Sequence, residues 1–176
     1  MKRTSTGYIE AAGAVFGVFL GSLLHFTYQL SGRLTLVGLF SAVNESPWEH
    51  LKLYFFPVLL FLFVEWLFVN DKSALLLAKL TQIVAGMVFI EAFFYTYTGA
   101  FGFENLWLDI LSFVLAMVFG YALSYRMIRS GRTVCFPAWL SGLSIALILL
   151  VFLVTTFAPP HIPLFQDRNT SGYGIG

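Results

Sequence analysis

The chain has 176 residues, of which 59% are hydrophobic and only 11% are charged, with a net charge of +1 and a mean hydropathy of +0.83. Soluble domains are typically about 25% charged and about 45–50% apolar, so this excess predicts contact with lipid. The near-neutral charge provides no basic surface for nucleic acid, and the single cysteine, Cys135, excludes an intramolecular disulfide and a CxxC metal site.

The first predicted element follows two basic residues, Lys2 and Arg3. Its apolar run, residues 8–30, matches the roughly 20 residues that a helix needs to cross a bilayer. A cleaved signal peptide usually has a shorter apolar core, of about 7–15 residues, and ends in an A-x-A-like site that this segment lacks. We therefore interpret it as a retained first span.

Four further apolar segments follow, at residues 47–69, 75–98, 105–125 and 134–157. Such long unbroken runs indicate membrane helices and exclude a membrane barrel. The apolar "LTLVGLF" between the first two spans is too short to cross, so we expect it to lie in the interface. The predicted fold class is an all-α membrane protein, with a five-helix transmembrane bundle at residues 1–157 and an extended, Pro-rich C-terminal tail at residues 158–176.

The direction of insertion follows from the basic residues, because cytoplasmic loops carry an excess of Lys and Arg. With the N-terminus inside, that side holds Lys2, Arg3, Lys72, Lys79, Arg126, Arg129 and Arg132, against Arg33, Lys52 and Arg168 outside. The bias predicts a multi-pass protein of the cell membrane with N-in, C-out topology. The tail then lies outside, where we consider that it folds back over the mouth of the bundle.

This topology gathers polar side chains at the outer end. The segment "VNESPWEH", residues 43–50, starts the second span. His25, Glu91 and Asp109 lie toward the outer ends of spans one, three and four, and His161 follows span five. Ionisable groups at membrane depth are costly and normally face the bundle interior, so their default interpretation is functional.

The inner ends of the spans carry two more carboxylates, Glu10 and Glu65. Snorkelling to the headgroups, or pairing with Lys72 or Lys79, accounts for them. We interpret both glutamates as structural.

Several residues of the segment 43–50 are typical of the start of a helix. Ser46 is a residue type that caps free backbone N–H groups, and Pro47 suits the first helical position. Glu49, three residues after the cap, is expected to close a capping box. Trp48 is expected to anchor the helix in the membrane interface.

The other polar groups form a predicted binding site. With Glu49 included, its members are Asn44, Glu45, Glu49, His50, His25, Glu91, Asp109 and His161. We predict an outward-facing site that binds a small polar ligand, a lipid headgroup or an ion, in a chain whose other partner is the lipid bilayer. The oligomeric state does not follow from the sequence.

Two alternatives stay open beside a binding site. The first is a membrane-embedded hydrolase with a zinc cofactor, because three protein ligands and an open position for water make a catalytic zinc centre. Its ligands would be His25, His50 and His161, with Asp109 or Glu91 as the fourth ligand or as general base. The second alternative is a structural subunit of a membrane complex, in which these side chains pair with one another.

The segment "VNESPWEHLKLYFFP" resembles the motif N-E-S-x-W-E-H-x-K of a small bacterial family of integral membrane proteins of unknown function. The tail "PPHIPLFQDRNTSGYGI" is similar to that family's ending, P-L-F-x-D-P followed by T-G-x-Y-G, with Arg168 in place of the second proline and Ser171 as a further difference. The resemblance covers the whole chain but implies no activity. It singles out Asn44, Glu45, Trp48, Glu49, His50 and Lys52.

Overall fold

The computed structural model describes residues 3–130 and 136–175 and, within them, the side chains from Thr6 onward. Lys2, Arg132 and Cys135 lie outside this part of the chain, as does the side chain of Arg3. The described residues form the helices α1 (Arg3–Leu30), α2 (Thr35–Gly38), α3 (Pro47–Phe68), α4 (Lys72–Phe101), α5 (Leu106–Ser130) and α6 (Ala138–Phe157), followed by a 3₁₀ turn at Pro163–Phe165. They contain no strand, although Gln166 and Tyr173 form an isolated antiparallel bridge.

Five of these helices are long and apolar enough to cross a membrane, which confirms the prediction of an all-α, five-span chain. Helix α4, predicted at residues 75–98, extends further at both ends. It begins earlier because the Asp71 carboxylate accepts the N–H of Ala74 at 3.0 Å. It ends later, at Phe101, and the capping Gly102 that follows has a φ of 73°, which suits glycine. The direction of insertion stays a prediction.

Successive spans are antiparallel, as contacts between helix ends such as His25–His50, Tyr97–Asp109 and Trp48–Thr155 show. The C-terminal ends of α1, α4 and α6 therefore lie beside the N-terminal ends of α3 and α5. We call this the motif end of the bundle, because it contains residues 43–50, and the other the opposite end. The stretch "LTLVGLF" forms one helical turn, α2, at the motif end.

Helix α3 occupies the centre of the bundle. Its most apolar window is 61% buried, whereas the corresponding windows of the other four spans are 22–33% buried. Large apolar side chains on those four helices point outward, among them Phe19, Val88, Val118 and Leu147. An apolar outer surface of this extent fits a lipid environment.

Tyr54 marks the closest packing of α3 against α4 and α5. Its side chain is fully buried, and its hydroxyl donates to the backbone carbonyl of Gln82 at 3.0 Å. A Cβ atom added at Gly86 would lie 2.1 Å from the phenol, and one added at Gly120 would lie 2.2 Å from its oxygen. The two glycines thus create the space that the Tyr54 ring fills.

We expect Gly86→Ala to destabilise the bundle by about 1–3 kcal/mol, the usual cost of overpacking a filled core. The thermal unfolding midpoint of the detergent-solubilised protein measures this loss. Gly99→Ala is the matched control on the same helix, because nothing lies within 4 Å of a Cβ added there. It should leave the midpoint unchanged or raise it, since alanine is the better helix former. Equal effects of the two substitutions would contradict this packing.

Candidate functional site

The start of α3 has the predicted cap but not the predicted capping box. The Ser46 hydroxyl accepts the N–H of Glu49 at 3.3 Å, and Pro47 occupies the first turn. The N–H of Ser46, which a capping box would give to Glu49, donates instead to the Asn44 side-chain oxygen at 2.9 Å. The Glu49 carboxylate is therefore free to turn toward the bundle interior.

Inside the bundle, Glu49 forms a buried ion pair with Lys52. The Lys52 ammonium lies 2.6 Å from Glu49 Oε2 and donates to the Thr156 hydroxyl at 2.6 Å and to the Gly38 carbonyl at 3.1 Å. The same Glu49 oxygen accepts the N–H of Val43 at 3.1 Å. Both charged side chains are almost fully buried. The pair thus fastens α2, the first loop and α6 to α3.

Trp48 is partly buried and packs against α6 and the tail at this end of the bundle, while its expected role as an interfacial anchor stays a prediction. Its indole N–H donates to the Thr155 hydroxyl at 2.8 Å. Its ring lies between those of Phe152 and Phe165, with centroids 4.9 and 4.8 Å away. Because Phe165 belongs to the 3₁₀ turn after α6, Trp48 connects the tail to α3.

The tail also makes hydrogen bonds to the motif end. The Asn44 amide donates to the Gly174 carbonyl at 3.2 Å, and the N–H of Ile175 donates to the Thr156 carbonyl at 3.2 Å. The last described residues therefore lie against the first loop and the end of α6. Asn44, a predicted site residue, is an anchor of the tail in this structure.

Asp167 organises the turn within the tail. Its carboxylate accepts the Thr170 hydroxyl at 2.7 Å and the N–H of Asn169 at 2.9 Å. Partial burial acts to raise the pKa of Asp167, but these hydrogen bonds, together with the backbone N–H of Glu45, hold it below its ordinary value. The negative charge of Asp167 therefore stabilises the folded turn.

On the other face of the motif, two imidazoles and a carboxylate come together. His50 Nε2 lies 3.3 Å from Glu45 Oε2, and the His25 and His50 ring centroids are 5.3 Å apart. Each residue offers one ligand atom, and these atoms all lie within 4.8 Å of one another. We call this group the His–Glu cluster. The side chains of His50 and Glu45 are 33% and 37% exposed, so the cluster lies partly at the surface of the bundle.

A backbone contact determines which nitrogen of His50 carries a proton. His50 Nδ1 lies 2.9 Å from the Ser46 carbonyl oxygen, which only accepts, so Nδ1 must be the donor. In a neutral ring, Nε2 then presents a lone pair toward the Glu45 carboxylate, and two acceptors face each other. A proton or a metal cation between them removes this conflict. The contact with His50 is also the main reason why the pKa of Glu45 is lowered.

Two of the predicted metal ligands lie apart from the cluster. Asp109 accepts the Tyr97 hydroxyl at 2.6 Å, and that phenol oxygen in turn accepts the N–H of Asn105. His161 is exposed and stacks on Tyr173 with centroids 4.5 Å apart. Asp109 thus stabilises the connection between α4 and α5, and His161 packs within the tail.

The predicted zinc set of His25, His50, His161 and Asp109 is therefore corrected in two of its members. Glu45 is the third residue beside His25 and His50, because the extended backbone at Ser46 lets the residue before the cap reach the first turn of α3. A carboxylate five residues before a histidine, across a helix start, is the sequence signal that could have indicated this contact.

Two openings lie near the cluster. A cavity of about 370 Å³ separates the end of α1 from the first loop and the tail; its lining includes Tyr28, Gln29, Arg33, Asn44, Asp167 and Tyr173. A shallower groove of about 370 Å³ runs between α3, α4 and the tail, and is lined by Trp48, Leu51, Met87, Glu91, Tyr95 and Leu164. Both oxygens of Glu91 are buried at this apolar groove without a hydrogen-bond partner. Glu91 thus lies outside the group of ligand atoms.

Four apolar helices packed around a fifth, central span that carries a buried ion pair fit a polytopic membrane protein. A family described as a family of unknown function, DUF6512, matches residues 3–175, and the chain belongs to this family. No curated protein and no solved structure matches the chain. Membership agrees with the unknown function that the resemblance implied, whereas the family-wide motif and the bacterial origin stay predictions.

We expect Lys52→Met to destabilise the protein by roughly 3–5 kcal/mol, because it leaves the Glu49 charge buried without its partner. Thermal unfolding in detergent measures the loss. The double variant Lys52→Met/Glu49→Gln should recover part of it, since no unpaired charge remains. Lys72→Met is the control, because that ammonium binds the carbonyls of Trp66 and Val69 at the opposite end. A loss no larger than that of Lys72→Met would contradict the role of the pair.

The lowered pKa of Asp167 predicts an acid-dependent contribution to stability. That contribution is complete above the ordinary value of 3.8 and is lost as the pH falls through the lower pKa of the folded state. Asp167→Asn should therefore be less stable than the unaltered protein at neutral pH, by an amount that shrinks below that value. Thermal unfolding over this pH range measures the difference.

Thr170→Val serves as the control for this titration, because it removes one donor to the carboxylate but keeps the charge. Its smaller loss should follow the same pH trend. A difference between Asp167→Asn and the unaltered protein that stays constant with pH would contradict the assignment.

Proposed function

We propose that the His–Glu cluster binds a divalent transition-metal ion, with Zn²⁺ as the best match to its ligands. The observation that carries the proposal is a pair of hydrogen-bond acceptors that face each other. Because His50 Nδ1 donates a hydrogen bond to the Ser46 carbonyl, His50 Nε2 presents a lone pair to the Glu45 carboxylate. Metal-binding histidines usually donate their other ring N–H to a carbonyl or carboxylate in this way. His25 adds a buried Nδ1 that has no hydrogen-bond partner.

The distances support a tetrahedral centre. Zinc binds imidazole nitrogen and carboxylate oxygen at about 2.0–2.2 Å, which places adjacent ligand atoms of a tetrahedron about 3.4 Å apart. His50 Nε2 and Glu45 Oε2 are 3.3 Å apart. The complete set lies within 4.8 Å, so side-chain rotation would bring the remaining ligand inward. A carboxylate and two neutral imidazoles would leave the bound ion with one net positive charge.

Such a centre would use three protein ligands and leave a coordination position open. We therefore propose that the chain is a multi-pass protein of the cell membrane whose metal ion binds a small anionic or polar ligand, or a lipid headgroup, on the outer side. Partial exposure of Glu45 and His50 supports access from the water–lipid boundary. The predicted N-in, C-out direction places this end outside the cell.

A metal-dependent hydrolase is the second candidate. Two histidines, one glutamate and an open position are a ligand set of catalytic zinc sites, in which the ion activates a water molecule. The chemistry also needs a general base within reach of that water. Asp109 already accepts the Tyr97 hydroxyl, and Glu91 lies in the apolar groove, so neither gives the hydrolase direct support. Metal-dependent binding remains the first proposal.

Metal content tests the proposed function directly. We expect the protein, purified in mild detergent without a histidine tag and exposed to Zn²⁺, to keep about one ion per chain through gel filtration. His50→Gln and His25→Gln should each lower the affinity by at least about 100-fold, because each removes a direct ligand and the loss of only a residue that hydrogen-bonds to a ligand costs about 10–100-fold. X-ray absorption at the zinc edge should show nitrogen and oxygen ligands.

His161→Gln is the matched control, because it removes an exposed imidazole outside the cluster. It should keep the metal affinity of the unaltered protein. Equal losses for His50→Gln and His161→Gln, or no retained ion in the unaltered protein, would overturn the proposal in favour of a proton shared by His50 and Glu45. Zinc-dependent hydrolysis of a phospholipid or ceramide by the loaded protein would favour the second candidate.

A further inference from the structure

A second group of polar and ionisable side chains lies at the opposite end of the bundle, far from the His–Glu cluster in the fold. Four helices contribute to it, and its members are Glu10 on α1, Glu65 on α3, Lys79 and Gln82 on α4, and Tyr121 and Ser124 on α5. All six side chains are almost completely buried. The predicted pairing of Glu10 and Glu65 with Lys79 is present, but the group holds two carboxyl groups and only one ammonium.

Lys79 lies at the centre of this group. Its ammonium donates to Glu10 Oε2 at 3.1 Å and to Gln82 Oε1 at 2.8 Å, and lies 2.6 Å from Glu65 Oε1. It also lies 4.4 Å from the centre of the Tyr121 ring. One positive charge is thus shared between two carboxyl groups, in a place that water does not reach.

The hydrogen bonds distinguish the two carboxyl groups. Glu10 receives two donors, the Lys79 ammonium and the Ser124 hydroxyl, the latter at 3.0 Å. Among the described residues no donor forms a well-directed hydrogen bond to either oxygen of Glu65, although Oε1 lies 2.6 Å from the Lys79 ammonium. The Glu65 and Glu10 carboxyl groups are also close enough to interact with each other. Glu10 is therefore placed as the ionised partner of Lys79.

Charge balance then leaves Glu65 with a proton. If both glutamates were ionised, this buried site would hold one excess negative charge and two carboxylates that repel each other. A protonated Glu65 removes the excess charge and supplies a donor of its own, whereas an ionised Glu65 would have to share the single Lys79 ammonium with Glu10. Tyr54 and Tyr121 are the other titratable groups at this site, and α6 carries none between residues 138 and 157.

We propose that Glu65 is a binding site for one exchangeable proton, with Glu10 and Lys79 as the ion pair that holds it. Because the group joins four helices, release of the proton introduces a charge at the point where those helices meet. The protonation of Glu65 is thereby coupled to the packing of the opposite end. The site uses no residue of the His–Glu cluster and does not depend on a metal ion.

Infrared spectroscopy of the purified protein at neutral pH tests this assignment through the carbonyl stretching band of a protonated carboxyl group. Glu91 also lacks a hydrogen-bond partner, so the measurement uses Glu91→Gln as its background. In that background we expect a band that shifts in D₂O and disappears on adding Glu65→Gln. Glu10→Gln should abolish the band as well, because Glu65 then becomes the only carboxylate paired with Lys79.

Lys79→Met should change the intensity of the carboxyl band in the opposite direction. Without the ammonium both glutamates should be protonated, so the band should grow about twofold. Glu104→Gln is the control for an exposed carboxylate, paired with Arg168, and should leave the band unchanged. A band that survives Glu65→Gln, or that is unaffected by Glu10→Gln, would overturn the proposal.

The Glu91→Gln protein by itself tests whether Glu65 holds a proton, even if the added substitutions prevent folding. The absence of any D₂O-sensitive carboxyl band in Glu91→Gln at neutral pH would show that Glu65 holds no proton. Labelling glutamate with ¹³C assigns a band that is present to glutamate, because aspartate then stays unshifted. The metal content of the same samples, measured in parallel, keeps the outcome separate from that of the His–Glu cluster.

Discussion

The arrangement of the motif end depends on one buried ion pair, Glu49 with Lys52. Burying two charges is expensive unless each is paired and hydrogen-bonded, and here the partners come from three separate parts of the chain. The ammonium takes its acceptors from α2 and α6, and the carboxylate takes an N–H from the first loop. Both charged groups have all these hydrogen bonds only when the first loop and α6 lie where they do in the structure. The pair therefore stabilises one arrangement of these segments.

This constraint explains why so many polar residues stand together at the start of α3. Side chains at neighbouring positions on a helix point about 100° apart, so Glu49 and His50 contact different parts of the protein. Glu49 turns inward to Lys52, whereas His50 turns toward Glu45 and His25. The capping serine contributes to both sides, because its hydroxyl binds the N–H of Glu49 and its carbonyl orients the His50 ring. The structural pair thus holds in place the backbone that presents the proposed metal ligands.

The central helix carries ionisable groups at both ends and apolar packing between them. At the opposite end Glu65 meets Glu10 and Lys79, and midway Tyr54 fills the space beside two glycines. Lys52, Tyr54 and Glu65 contact partners on neighbouring helices, while the outer surfaces of those helices stay apolar. Lipid cannot supply hydrogen bonds to a misplaced charge, so these contacts favour one register of the helices over others.

The five apolar spans, the helix start at Ser46 and the concentration of polar groups at one end could be predicted from the sequence, because span length, capping and loop position are local properties. The proximity of His25 and His50 was also predicted. The sequence did not show that Glu45 joins the two histidines while Asp109 pairs with Tyr97 and His161 stacks on Tyr173. The contacts of Trp48 and Lys52 with Thr155 and Thr156 of α6 likewise arise only in the folded chain. Those contacts join residues more than 100 positions apart, and helix periodicity carries no information about which side chains meet across such a distance.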